Sequence, residues 1–102
     1  MLAKKYRLPI EKFVLQRALI KKSPFFNIKI FTTILPYSRF GIVISKKVAP
    51  KATERNRLKR IIFSQTNPKG GTPRDVLIIV QPQISKLTEK NVIIEEFNKV
   101  LS

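Results

Sequence analysis

Cysteine and histidine are both absent from this chain of 102 residues. Without cysteine there is no disulfide staple and no thiolate metal site. Without histidine there is no Ser-His or Cys-His relay and no HExxH-type metal centre. Acidic residues are scarce as well: Asp plus Glu number only 6. Glu95 and Glu96 are neighbours on a predicted helix, so they point about 100° apart and make a poor metal pair. Asp75 falls in another segment and Glu89 at the far start of that helix, and a solvated surface position is the expectation for every carboxylate. Gly70-Gly71 lacks the Lys-Ser or Lys-Thr of a phosphate loop and reads as a turn. The chain is therefore expected to hold no catalytic residue and no metal site of its own. Any reaction it supports falls to a partner.

Long apolar runs are missing too. None reaches the roughly 18 residues needed to span a bilayer. Met1-Leu2-Ala3-Lys4-Lys5 lacks the apolar centre of a signal peptide. Together with the missing cysteines, this gives a cytoplasmic location as the expectation. The hydrophobic fraction of 43% is enough for a packed core, and the length suits one domain over residues 1–102.

What the chain has in excess is positive charge. Lys plus Arg number 21 against the 6 acidic residues, a net of +15. Residues 74–102 are neutral, with Arg74, Lys86, Lys90 and Lys99 against Asp75, Glu89, Glu95 and Glu96. The whole excess sits in residues 1–73, where only Glu11 and Glu54 are acidic. Like charges repel, so such a concentration destabilises the fold unless a polyanion compensates it. Nucleic acid is the commonest such partner, and an anionic membrane surface is the rival.

Hydrophobic periodicity divides the chain. Residues 1–8 read as a basic, extended start. Pro9 suits a helix start, and Ile10 to Leu19 reads as a short amphipathic helix with Phe13, Val14 and Ala18 on its apolar stripe. Ser23-Pro24 breaks the chain. Phe25 to Leu35 alternates with period two: Phe26, Ile28, Ile30, Thr32 and Ile34 form a core face. Phe25, Asn27, Lys29, Phe31 and Thr33 form the other face, which mixes aromatics with a cation. After a Pro36-Tyr37-Ser38 turn, Arg39 to Lys47 repeats the pattern with Phe40, Ile42 and Ile44 facing the core. Two such strands in succession suggest an antiparallel pair with one buried and one wet, basic face. Thr53 is the expected N-cap of a helix running to about Thr66, with Leu58, Ile61, Ile62 and Gln65 on one stripe. Residues 67–73 form a loop. Val76 to Val80 is wholly apolar, as for a central strand covered on both sides, and Thr88 to Leu101 reads as a last helix. The expected fold class is α+β, a two-layer α/β sandwich in α-β-β-β-α-β-α order. The third strand of that series has no residues assigned to it.

The segment from Ser45 to Arg60 concentrates the charge. Lys46, Lys47, Lys51, Arg55, Arg57, Lys59 and Arg60 stand there against Glu54 alone. A helix N-terminus adds partial positive charge and unpaired N–H donors suited to phosphate. Arginine grips phosphate with a bidentate fork, and Asn56 between two arginines can bond base edges, sugars or phosphates.

Ser45-Lys46-Lys47-Val48, a short connection, and then Arg55-Asn56-Arg57-Leu58-Lys59-Arg60 resembles the signature of the bacterial ribonuclease P protein subunit. Arg39 to Ile44 looks like the strand leading into it, and Lys5-Tyr6-Arg7-Leu8 followed by Phe13 is similar to the family's opening. Ala49-Pro50 stands where the family usually has Gly-Asn, and the connection to Arg55 is one residue longer. Gln81 follows the last strand where an arginine is often seen. The resemblance implies a left-handed βαβ crossover, as in the second domain of ribosomal protein S5. It implies that a catalytic RNA, with Mg2+ held mainly by that RNA, cleaves the 5′ leader from precursor tRNA. Carried over residue by residue, it makes Lys46, Lys47, Arg55, Asn56, Arg57, Lys59 and Arg60 contacts to the catalytic RNA. Phe13, Lys29, Phe31 and Ser45 would line a cleft for the single-stranded leader. Neither a membrane nor DNA is an expected partner. A non-catalytic RNA-binding or ribosome-assembly protein would fit the charge and the sheet face equally well.

Overall fold

The structure is a computed structural model that describes residues 3–9 and 18–101. Four strands form one sheet: β1 (Leu19–Lys22), β2 (Phe26–Phe31), β3 (Arg39–Val43) and β4 (Asp75–Val80). Helix α1 (Ala52–Phe63) lies between β3 and β4, and α2 (Lys90–Leu101) closes the chain. Short 3-10 turns occupy Lys4–Tyr6 and Pro82–Lys86. Residues 10–17 of the predicted N-terminal helix, with Phe13, lie outside those described; Ala18 has no helical structure and Leu19 opens β1.

The β1–β2 turn shows why Ser23-Pro24 breaks the chain. The Ser23 hydroxyl accepts the N–H groups of Phe25 and Phe26 at 3.2 and 3.0 Å. The Ser23 N–H donates to the Phe26 carbonyl at 2.8 Å. The third strand of the expected series is therefore β1, ahead of the other two.

The sheet order is β1-β2-β4-β3. This corrects the expected pairing of β2 with β3. Strand β4 inserts between them, antiparallel to β2 and parallel to β3. The loop after β2 thus crosses to the far side of a strand not yet made. Period-two patterning assigns faces, not neighbours, so it could not show this. Strands β3 and β4, joined through α1, make a parallel βαβ unit.

Both helices cover one face of the sheet. Phe26, Ile28, Val76, Ile78 and Val80 meet Leu58, Ile61, Ile62, Ile93 and Phe97 in the main core. Phe26 and Phe97 pack edge to face, centroids 5.5 Å apart. The α1 stripe of Leu58, Ile61 and Ile62 faces inward as its spacing predicts. The core face of β2 is shorter than expected. The strand ends at Phe31, Thr32 is exposed, and Ile34 stands fully out in the loop at 102% exposure. Similarly, β3 stops at Val43 rather than Lys47, with Ile44 half-buried just beyond it.

A smaller cluster lies on the opposite face. Leu8, Phe31 and Leu77 are buried together, with Ala18 and Ile79 against them. The N-terminal segment reaches this region along the outer edge of β3, where Arg7 bridges Phe40 and the Leu8 N–H donates to the Phe40 carbonyl at 3.0 Å. That pairing covers an edge strand that would otherwise offer unpaired backbone groups.

Candidate nucleic-acid interface

The cation-rich segment folds as a turn followed by α1. The N–H groups of Val48 and Ala49 both donate to the Ser45 carbonyl, which throws Ser45, Lys46 and Lys47 outward, all exposed. Thr53 is not the N-cap, contrary to expectation. Lys51 holds that position with no side-chain cap, and Thr53 lies within the first turn. Arg55 ties the entry instead: its Nη1 donates to the Ala49 carbonyl at 2.8 Å and to the Pro50 carbonyl at 2.9 Å. The unusual Ala49-Pro50 turn is thus gripped by the first arginine of the motif. Arg57 reaches the other way, its Nη2 donating to the Thr88 carbonyl ahead of α2 at 3.3 Å.

Asn56 and Arg60 are exposed, and Lys59 is half-exposed; none of their side chains has a bonded partner among the described residues. Exposed Lys46 and Lys47 stand in the turn ahead of the helix, and exposed Lys51 is its N-cap. The buried stripe seats α1 on the sheet, so these polar groups face away from the core. Their chemistry is that of an anion-binding surface: unpaired cations beside uncapped helix N–H donors.

The second predicted site lies on the far face of the sheet. Register aligns it in three rows: Lys22, Asn27, Ile79 and Val43; Ile20, Lys29, Leu77 and Gly41; and Phe31, Asp75 and Arg39. Lys29 and Phe31 therefore share this face. Phe31 is only 2% exposed, so its ring forms a floor rather than a projecting platform. Ser45 is not brought to them. It sits past the Val43 end of β3, whereas Phe31 lies beside Asp75 at the other end. Phe13 lies outside the described residues.

Asp75 corrects the expectation that every carboxylate is solvated. It is 1% exposed and takes a bidentate grip from Arg39, Nε to Oδ1 at 3.0 Å and Nη2 to Oδ2 at 2.8 Å. The hydrogen bond to Asp75 raises the Arg39 pKa above its ordinary value, against the smaller opposing effect of burial. This pair was invisible in the sequence because it depends on β3 lying next to β4. Both Asp75 oxygens are engaged by Arg39, and Glu95 and Glu96 both face Lys99. Among the described residues no group of three or more Asp or Glu could hold a metal ion. No described helix is long and apolar enough to cross a membrane.

The family model described as Ribonuclease P matches residues 5–102. This chain belongs to the ribonuclease P protein family. A ribonuclease P protein component from Synechocystis is 54% identical over 50 residues, covering 46% of this chain and 40% of the relative. One from Aliivibrio fischeri is 33% identical over 92 residues, covering 88% of this chain and 74% of the relative. The match thus spans under half the length of the cyanobacterial relative and about three quarters of the other. A mutant Staphylococcus aureus RNase P protein superposes with a TM-score of 0.83 at 21% identity, covering 96% of this chain and 86% of that one. The family is the bacterial-type protein component, and the α+β fold agrees with the solved structure.

Proposed function

We propose that this chain is the protein subunit of a ribonuclease P ribonucleoprotein that removes the 5′ leader from precursor tRNA. It binds the catalytic RNA through the turn at Lys46 and Lys47 and through Asn56, Lys59 and Arg60 of α1. Arg55 and Arg57 add cationic charge while bracing the helix entry. The single-stranded leader lies on the far sheet face, where Lys29 tracks its backbone and the Phe31 floor supports its bases. Magnesium and the bond-breaking step belong to the RNA partner. The observation that carries this reading is the cation-rich Arg55–Arg60 segment, with Asn56 and Arg60 exposed, on the helix that connects parallel strands β3 and β4 in a chain matched by the Ribonuclease P family model.

Reconstitution with a bacterial ribonuclease P RNA at low magnesium tests it. The protein should stimulate cleavage of precursor tRNA, and a precursor without a leader should gain less affinity. Absence of stimulation would sink this reading and leave an RNA-binding module of another assembly.

A further inference from the structure

Tyr6 and Tyr37 are the chain's only tyrosines, and the fold brings them together from distant parts of the sequence. Their ring centroids are 5.2 Å apart at an interplanar angle of 89°. The Lys5 ammonium sits 4.9 Å from the Tyr6 centroid and 5.7 Å from that of Tyr37. Both rings are half-exposed, and neither belongs to either buried cluster.

The backbones carrying the rings are tied down. Tyr6 ends a 3-10 turn and is followed directly by the Arg7 and Leu8 pairing to Phe40. Tyr37 precedes Ser38, which is buried. The Ser38 N–H donates to the Pro68 carbonyl at 2.8 Å, and its hydroxyl accepts the Arg74 N–H at 3.0 Å. The two rings are therefore presented with little freedom left to lose on binding. Edge-to-face packing covers one face of one ring and an edge of the other, so aromatic surface remains for a third planar group.

The electrostatic setting selects the ligand. Lys4, Lys5 and Arg7 crowd this corner, and the ion pairs of the described residues, Arg39–Asp75 and Lys99 with Glu95 and Glu96, leave Lys5 without a carboxylate. Arg7 and Lys59 line one groove of about 240 Å³ with Leu8, Phe40 and Phe63. The corner is thus continuous, around the edge of β3, with the cationic surface of α1.

Resting on the RNA-binding reading above, we propose that Lys5, Tyr6 and Tyr37 form a binding site for one unpaired nucleobase and its flanking phosphate. The base stacks on tyrosine and the phosphate pairs with Lys5. The base comes from the catalytic RNA or from the precursor leader, and the two sources share this chemistry.

Because the chain has only two tyrosines, 3-fluorotyrosine labelling gives two 19F resonances, both from this site. A single-stranded octaribonucleotide of leader type, an abasic octamer and a bacterial ribonuclease P RNA are titrated in turn. Movement of the resonances with the octamer or with the long RNA, but not with the abasic octamer, supports the site and names its source. Tyr37→Ala should weaken binding of the responding RNA about tenfold, the scale of one lost stacked base, while Tyr37→Phe stays within about twofold. Resonances that stay fixed at RNA saturation, or that move equally with the abasic octamer, overturn the site. The labelled native chain decides this even if an alanine variant fails to fold. Fixed resonances together with stimulated precursor cleavage would remove the nucleobase site and leave the subunit reading standing.

Discussion

On the helix-covered face of the sheet, Phe26, Ile28, Val76, Ile78 and Val80 are each 3% exposed or less. On the opposite face, Ile20 and Val43 are 50% and 37% exposed, and Asn27 and Lys29 stand among them. Both faces belong to the same strands, so backbone pairing cannot account for the difference. It follows from what each row meets. One face receives two amphipathic helices; on the other, among the described residues, Leu8 of the N-terminal segment is buried against Phe31 and Leu77, with Ala18 and Ile79 beside them. The first face supplies stability. The second leaves polar and apolar groups side by side at the surface, which is what the proposed leader site requires.

Five substitutions test this contrast. The largest loss is expected at Phe97, fully buried between α2 and the sheet: Phe97→Ala should cost about 3–5 kcal/mol in urea unfolding, a large share of a small domain's total. A cost below about 1 kcal/mol would mean that the helical face is not the stabilising one. Next comes Asp75→Ala on the far face, which leaves the Arg39 guanidinium without its bidentate partner. The expected cost is about 3 kcal/mol, and a neutral result would show that solvent already screens the pair.

A smaller effect separates bracing arginines from presented ones. Arg55→Ala removes two bonds to the helix entry and should cost about 1 kcal/mol, seen in the unfolding midpoint. Arg60→Ala should leave that midpoint unchanged, yet reduce the salt dependence of RNA affinity by about one unit of slope. If both variants behave alike, the distinction fails. A similarly small stability effect is expected at exposed Val43. Val43→Glu should move stability by no more than about 0.5 kcal/mol while weakening leader-bearing substrates and sparing mature tRNA. Equal loss for both RNAs would take the leader off this face.

Much of this protein was determined by its sequence alone. The absence of histidine and cysteine removes the common catalytic relays whatever the fold. The excess of cations over residues 1–73 calls for a polyanion in any conformation. Leu58, Ile61 and Ile62, and likewise Ile93 and Phe97, mark buried helix stripes because helical periodicity is a local property. Tertiary structure decided what depends on distant neighbours. It placed β4 between β2 and β3, where alternation in each strand could only say which side faces in. That insertion set Asp75 beside Arg39 and turned an expected surface carboxylate into a buried one. The fold also brought the Thr88 carbonyl to Arg57 while leaving Asn56 and Arg60 of the same motif exposed, and joined Tyr6 to Tyr37. The physical reason is common to all of these. Residue type and spacing set which groups need burial or a counter-charge, and only the assembled fold determines which partner arrives.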